Sequence, residues 1–524
     1  MRTQSDQVQL NVLSVYPTGH QEHIIEQTPL DNHSDFRILC KTAWVIILDG
    51  LKQTLGDSYG LQLLFLTGLL SRLNNSTENE AAYALTMTLF SADCVPILSL
   101  LFPHATLISE LLMDFDSASD QQKENIRDQL AIHLRNMLLH NLIFVTPAML
   151  VLSFSGGILK TIFRQNDVVA NIAESILRPI SWAIPSILMI TTLSQFIIGA
   201  QKTNIFLFSF SVVAASVIAG RMANPGTFGF SSLPFNQVII PFIAAPYIIS
   251  AIFSFYIFRS GSFYSKFHLW KKLKLNLLSD FKSFGQSIRF GLGCVLQVCC
   301  EFYTPFFLAT MCGALGNDAQ AAFTNALQAV WASTSLNIFF GVSNMIIIGN
   351  AGHNPLISGK LFRKMTITGL LISFIAGSIV PIIFASHPDF LINILGNADP
   401  EVEKGVRKIA TPIALFSICD SISFTCMFVP RAKKDFIQPT LRRAMGVIVS
   451  LTAAAILAFG AQLGVQGIAF GAALGSFVSM ALLVLHYFAG LAKTMREKIL
   501  ANHGAIQTHE PFANTVGSNL VFNP

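Results

Sequence analysis

Four carboxylates stand inside stretches of the chain that are otherwise almost wholly apolar: Asp57, Asp93, Glu301 and Asp420. A charged side chain at the centre of a bilayer costs about 3 kcal/mol or more, so one that persists there needs a partner or a task. A buried carboxylate with no cation beside it has a raised pKa. It can exchange a proton, or lend its oxygens to a cation. Glu301 is the sharpest case: the residues three and four positions away are Gln297, Val298, Thr304 and Pro305. It lies about fifteen residues, or roughly 22 Å, into its predicted helix. Asp420 stands among Phe416, Ser417, Ser423 and Phe424, whose hydroxyls suit a polar cavity or cation coordination. Asp93 precedes Pro96 by three residues, and that proline frees a backbone carbonyl inside the helix. Asp57 lies near a bend expected at Gly56 and Gly60. These four are the candidate sites for a coupling cation, sodium or proton; the competing reading of each is a structural hydrogen bond. Asp49 with Lys52 and Glu174 with Arg178, spaced i,i+3 and i,i+4, read as local pairs instead.

The elements that must position these groups follow from composition. Of 524 residues, 52% are hydrophobic and only 12% charged, and 44 are Phe. Soluble domains carry about 25% charged residues, so lipid must be part of this chain's solvent. A formal charge of +5 gives no nucleic-acid signal. Apolar windows predict spans near 38–70, 81–108, 130–157, 167–198, 203–223 and 237–258, then 286–312, 320–350, 360–385, 402–429, 439–460 and 466–491. This is an all-α polytopic membrane protein of about twelve helices.

Lys and Arg set its orientation. They crowd loop 259–285, the loop near 351–364 (Lys360, Arg363, Lys364), loop 430–443 (Arg431, Lys433, Lys434, Arg442, Arg443) and the residues after the last helix, whereas 224–236 and 461–465 carry no charge. Those alternate loops are therefore expected in the cytoplasm, with both termini. Segment 113–128 is rich in Asp and departs from the pattern, but acidic residues weigh little in it.

The chain also repeats itself. Asp167 and Asp399 each open a long helix, and Ala200-Gln201-Lys202 and Ala432-Lys433-Lys434 each close one, both pairs 232 residues apart; Ala81-Ala82-Tyr83 and Ala321-Ala322-Phe323 open a further pair, 240 apart. Six helices per half bring both halves in from the same side, so the two six-helix lobes are expected to be related by a pseudo-two-fold axis along the membrane normal. The expected organisation is a polar tail (1–35) with no apolar core behind a basic start, hence no cleavable leader, an N-terminal lobe (36–258), a basic linker (259–285), a C-terminal lobe (286–492) and a second polar tail (493–524). In the linker, Phe267, Trp270, Leu273, Leu277 and Phe281 alternate with lysines, which suits either a helix on the membrane surface or a plain basic loop. The eight cysteines have neither disulfide-framework nor zinc-ligand spacing. His133 and His140 could share a helix face, with no acidic cluster close to them in sequence.

From Glu301 the sequence reads E-F-Y-T-P-F-F-L-A-T-M-C-G-A-L-G-N-D-A-Q-A-A-F, with Gly316, Ala321, Ala322, Gly341 and Gly349 in fixed register. Asp420 is followed by a turn in which Arg431, Lys434 and Asp435 stand 11, 14 and 15 residues on; a last helix pair carries L-G-V-Q-G-I-A-F-G-A-A-L-G at 463–475; and Ile184-Pro185 and Gly199 mark the fourth helix. In these features the chain resembles the multidrug and toxic compound extrusion (MATE) transporters, in particular their NorM-like branch, strongly after residue 285 and loosely before it. It departs where that family's first-helix aspartate falls near Gly60, with Asp57 one turn earlier, where a seventh-helix proline falls near Gly293, and at Pro430 and Ala432 of the turn.

The resemblance implies a monomeric secondary active exporter in a cell membrane, of the bacterial inner-membrane kind, that is not an enzyme. It would need no cofactor beyond sodium ion or proton, and no metal beyond a possible sodium at Glu301 and Asp420. It would move small amphipathic or cationic compounds. One alternative is a flippase of lipid-linked saccharide or phospholipid, which should line its cavity with several Arg or Lys; Arg178 and Arg135 are the available cations. The other is a membrane-embedded transferase, which needs a catalytic cluster that the sequence does not display.

Overall fold

The structure is a computed structural model. It describes residues 77–507 except 114, 117, 201, 207–208, 210, 216–234, 260–261, 273–276, 354–358, 390–391, 393–398, 433–434 and 436, together with 39–40, 42–44, 46–48 and 51–52. Its principal helices are α1 (Thr77–Ser99), α2 (Phe102–Met113), α3 (Asp120–Ser153), α4 (Ser155–Thr161), α5 (Asp167–Ile180), α6 (Ile184–Gly199), α7 (Phe235–Phe258), α8 (Leu277–Gly313), α9 (Asn317–His353), α10 (Gly359–Ser386), α11 (Pro400–Ala432), α12 (Ile437–Ala455) and α13 (Val465–Gln507). Among the described residues, nine helical segments are long and apolar enough to cross a membrane. The helix α9 is also long, at 37 residues, and buries Asn325, Gln328, Asn337 and Asn344.

Several boundaries move from their hydropathy positions for local reasons. The third span begins at Asp120 rather than near 130, because Ser119 and Gln122 close a capping box: the Ser119 hydroxyl accepts from the Gln122 N–H at 3.4 Å, and the Gln122 side chain accepts from the Ser119 N–H at 2.9 Å. Hydropathy cannot see such a start, since the first turns are polar. The helix α8 likewise begins at Leu277, ahead of the expected 286. Pro96 divides the second span: α1 ends at Ser99, whose hydroxyl bonds the Pro96 carbonyl at 2.6 Å, and α2 follows. The two long helices of the repeat are capped alike, Val168 N–H bonding the Asn166 side chain at 2.8 Å and Glu401 N–H the Asp399 carboxylate at 2.9 Å. Ala81-Ala82 and Ala321-Ala322 are fully buried, at matching places in the two halves.

A ladder of small residues brings α12 and α13 into backbone contact. Gly446, Ser450 and Ala454 of α12, with Ala458 of the helical turn Ile456–Gly460 that continues it, meet Gly467, Gly471, Gly475 and Ser479, and a Cβ added at Gly471 would lie 2.3 Å from the Ala454 nitrogen. Spacing by four keeps each set on one helix face, the close-packing solution used where lipid removes any hydrophobic drive between helices.

The described part of the linker, residues 262–272, forms two short helical turns and packs on the protein. Tyr264, Phe267 and Leu269 are buried, and Phe267 meets Phe115 edge-on at 4.9 Å. Lys266 pairs with Asp116 at 2.9 Å; Lys272 pairs with Glu124 and Asp128, each at 2.5 Å; Arg127 bonds Glu124 and the Lys266 carbonyl at 2.9 Å. The acidic segment that breaks the charge pattern is thus the docking partner of the linker. Hydrogen bonds from Lys272 and Arg127 hold the Glu124 carboxyl below its usual value. Burial works against the Lys272 charge, but its bonds to Asp128 and Glu124 outweigh that and raise its pKa. Reversing Glu124 and Asp128 to Lys should expose the linker, so that limited trypsin digestion cuts after Lys266 and Lys271 faster than in the parent. Adding Lys272→Glu should restore part of the protection.

Candidate functional site

Three charged side chains from three helices of the C-terminal half meet in its interior. Glu301 comes from α8, Asp420 from α11 and Arg443 from α12; they are 6%, 7% and 4% exposed. The register of α12 sets the depth of Arg443. Its buried face is Pro439, Thr440, Arg443, Gly446, Ser450 and Ala454, spacings of three and four along a helix. Arg442 points elsewhere and bonds the Gln438 carbonyl of the preceding turn at 2.9 Å. An Arg443 guanidinium nitrogen, Nη2, donates to a carboxylate oxygen of Asp420 and forms an ion pair with it. Glu301 lies within electrostatic reach of the same guanidinium, second to Asp420 among the charges acting on it. A small cleft opens beside the three, lined by Glu301, Thr304, Phe416, Arg443, Ser450 and Ser476.

Hydrogen bonds brace the surroundings. Ser421, next to Asp420, donates to the Ser417 carbonyl at 2.8 Å and accepts from the Asn337 side chain of α9. Thr304 donates to the Cys300 carbonyl at 2.5 Å. Ser479 of α13 donates to the Arg443 carbonyl at 3.4 Å, and the guanidinium sits 6.0 Å from the Phe424 ring.

Two sequence expectations are corrected here. Arg443 was counted among the charges of loop 430–443, and Glu301 and Asp420 were read as having no cation nearby. Both errors have one cause: neighbours at i±3 and i±4 exhaust only one helix, and the cation arrives from another. The signal was present in the run Arg443, Gly446, Ser450, Ala454, which places an arginine on a small-residue face that must pack closely.

Of the other candidates, Asp93 is half-buried on α1, with the Cys94 thiol 3.9 Å from its carboxylate, and it acts electrostatically on Tyr303 of α8. It belongs to a different helix contact from the Arg443 cluster. Asp57, Gly60 and Asp49 lie outside the described residues, as do Lys434 and the Arg431 side chain. Asp435 accepts from the Gln438 N–H at 3.4 Å and lies 3.5 Å from His486 of α13, so it ties the start of α12 to the last helix. Glu174 and Arg178 pair as their spacing predicts, and Arg178 also bonds the Ser153 carbonyl at 3.3 Å.

The two halves touch at both ends. At the linker end, His104 of α2 lies 2.8 Å from the Ser287 hydroxyl of α8 and 3.1 Å from His133 of α3, and Ser283 of α8 donates to Asn136 of α3 at 2.9 Å. Sequence reasoning paired His133 with His140 and missed His104, because the contact joins separate helices. At the opposite end, Gln320 of α9 donates to Gln165 at 2.8 Å, and Phe163 meets Phe306 edge-on at 4.7 Å.

Comparison with known proteins agrees with this architecture. No family model matches the chain. Protein DETOXIFICATION 14 of Arabidopsis thaliana is 25% identical over 238 residues, 43% of this chain and 47% of that protein. Protein DETOXIFICATION 56 of the same plant is 24% identical over 204 residues, 37% of this chain and 39% of that protein. The matched regions thus span half or less of these relatives. Among solved structures, that of the eukaryotic MATE transporter AtDTX14 superposes with a TM-score of 0.69 at 18% identity, covering 88% of this chain and all of that one. Outward-facing and inward-facing forms of a multidrug resistance MATE transporter give 0.68 and 0.65, each at 13% identity, covering 86% and 87% of this chain and 96% and 99% of theirs. The chain is a multi-pass membrane protein with the fold of the MATE transporter structures, and nine of its described helical segments are long and apolar enough to cross a membrane. These likenesses do not single out the NorM-like branch.

Removing one partner of a buried ion pair strands the other, at about 3–5 kcal/mol. Asp420→Asn should therefore lower the unfolding temperature in detergent markedly, and Asp420→Asn/Arg443→Gln should recover most of the loss.

Proposed function

We propose that the chain is a secondary active exporter in which an inward flow of sodium ions or protons drives outward movement of amphipathic or cationic compounds. The observation that carries this reading is a pair of buried carboxylates from two helices of a MATE fold: Glu301, which lines the cleft, and Asp420, which pairs with the Arg443 that lines it too. Buried acids grouped at a cleft in a transporter fold are suited to hold a coupling cation. Asp93, within electrostatic reach of Tyr303, is a second candidate position, and Asp57 remains a candidate outside the described residues. The linker end is the cytoplasmic end in this reading, with both termini on that side. Arg431, Lys434 and Asp435 form the cytoplasmic turn before α12, no cofactor is required, and the monomer is the working unit. The two bridges between the halves are then the two gates, and each must open in turn. A flippase reading is not favoured: of the two cations the sequence offered it, Arg178 and Arg135, the first is paired with Glu174, and the buried Arg443 is paired with Asp420.

The test is export of ethidium from vesicles under an imposed sodium or proton gradient. Glu301→Gln and Asp420→Asn should each cut gradient-driven export at least about tenfold per molecule in the membrane, the size of effect expected when an essential ionisable group is removed. If both retain the full rate, the site assignment is wrong. The gates have their own test. Cysteine pairs at Gln165 with Gln320 and at Asn136 with Ser283 should each stop export when oxidised and restore it on reduction, because each disulfide holds one end shut.

A further inference from the structure

Three histidines of the N-terminal half, His104, His133 and His140, have no task in a site built from carboxylates. We infer that His104 and His133 form a proton relay, which carries protons from the interior of that half to the seam between the halves at the linker end. The inference rests on the proposed exporter reading and makes the proton its coupling ion.

His104 stands on α2, is 4% exposed and meets a polar partner at each ring nitrogen. Its Nδ1 lies 3.1 Å from Nδ1 of His133 on α3, and its Nε2 lies 2.8 Å from the Ser287 hydroxyl of α8, across the seam. The two rings meet edge-on at 5.2 Å. A neutral imidazole donates at one nitrogen and accepts at the other, so the two Nδ1 atoms share one proton. Take His133 as its donor. A proton that reaches His133 Nε2 forms an N–H bond there, the Nδ1 proton crosses to His104 Nδ1, and the proton on His104 Nε2 leaves through the Ser287 hydroxyl. One proton enters and one departs. Each ring is left in its other tautomer, so the pair must turn over before the next transfer. Asn or Gln can make the same hydrogen bonds. Imidazole alone takes a proton at one atom and gives one up at another.

The surroundings favour passage over storage. Among the described residues, the titratable groups that act on His104 are His133 and His140, and no charged side chain is among the groups acting on any of the three rings. The helix α6, packed against α2, carries no Asp, Glu, Lys, Arg or His, and α8 meets the His104 ring through Ser287. An imidazolium held there would lack a counter-charge, which is costly in a buried place. His140, 2% exposed and seven residues along α3 from His133, extends the cluster inward. The Ile97 carbonyl of α1 acts on its ring, and Ile97 stands one turn beyond Asp93. The polar groups thus run from the neighbourhood of the Asp93 candidate to the seam. Ionisable chains of this kind inside a membrane mark proton routes.

The test uses the full-length protein in proteoliposomes, with ethidium as the transported probe and a proton gradient, a sodium gradient at equal pH, or no gradient. In the parent the proton gradient should drive export. His133→Asn keeps an amide that can bond His104 Nδ1 and leaves the contact between His104 and Ser287 in place. It should cut proton-driven export at least about tenfold, as loss of a proton-transferring group does, and leave ethidium–ethidium exchange without a gradient at the parental rate. His104→Gln, whose amide can still reach Ser287, should lose proton-driven export to the same extent. His104→Gln/His133→Asn should be no slower than either single variant, because links of one relay fail as a unit. The inference is overturned if His133→Asn or His104→Gln keeps the full proton-driven rate. It is also overturned if exchange by His133→Asn falls in step with export, the mark of a bond that only holds the fold, or if the double variant multiplies the two losses. A parent driven by sodium and not by protons overturns the relay and leaves the exporter reading standing, whereas a parent driven by neither gradient overturns both.

Discussion

The ion pair between Asp420 and Arg443 is the constraint on which the C-terminal half depends. A carboxylate and a guanidinium, both almost wholly withdrawn from water, must each find a counter-charge or be expelled. That requirement fixes the rotation of α11 about its axis, because Asp420 must face α12. It also fixes the register of α12, because Arg443 must arrive at the same level. A hydrophobic pair of equal volume could fill the space at no loss of stability, so the pair is better understood as a device that specifies one arrangement and places a charge beside Glu301.

The close approach of α12 and α13 serves the same end. Lipid tails are as apolar as leucine, so these helices associate by contact distance and shape. The four-residue ladder from Gly446 to Ala458, against Gly467 to Ser479, provides that contact. It leaves no route by which the arginine side chain can slide along the interface. The same face that carries the ladder carries Arg443, one turn before Gly446. Helix packing and charge placement are therefore two consequences of one periodicity.

That periodicity explains what could be read from the sequence and what could not. The twelve-helix plan, the internal repeat and the depth of Glu301 and Asp420 follow from apolar length and from the cost of charge in hydrocarbon, both of which are local properties. The start of α3 at Asp120 was legible in principle from Ser119 and Gln122, but hydropathy passes over a polar first turn. The partner of Asp420 was not legible from spacing around Asp420, since it stands on the next helix. Arg443 was read with Arg442 as one basic loop, although the two project from different sides of α12. The partners of the linker were hidden in the same manner: Asp116, Glu124 and Asp128 look like an exception to charge bias until Lys266 and Lys272 fold onto them. In each case the missing information is a contact between helices, which no window along one segment contains.

One helix joins the candidate site to both contacts between the halves. At the linker end α8 carries Ser283 and Ser287, which meet Asn136 and His104; toward its other end it carries Phe306, which meets Phe163, and Thr310, whose carbonyl lies 3.5 Å from the Gln165 amide. Glu301 stands between these groups. Pro305 follows it by four residues, and a proline removes the backbone bond to the carbonyl four positions before it, which here is that of Glu301 itself. The rod is thus least braced at the residue whose charge the cleft must balance. If Glu301 holds the coupling cation as proposed, its occupancy changes where Pro305 leaves α8 least braced, and a bend there moves the two bridging ends relative to one another. A rigid helix with its charge at one end would have no such leverage. In the proposed exporter reading, the carboxylate stands at the weak point of the helix that spans both bridges, which is where a bound coupling cation would reach each of them.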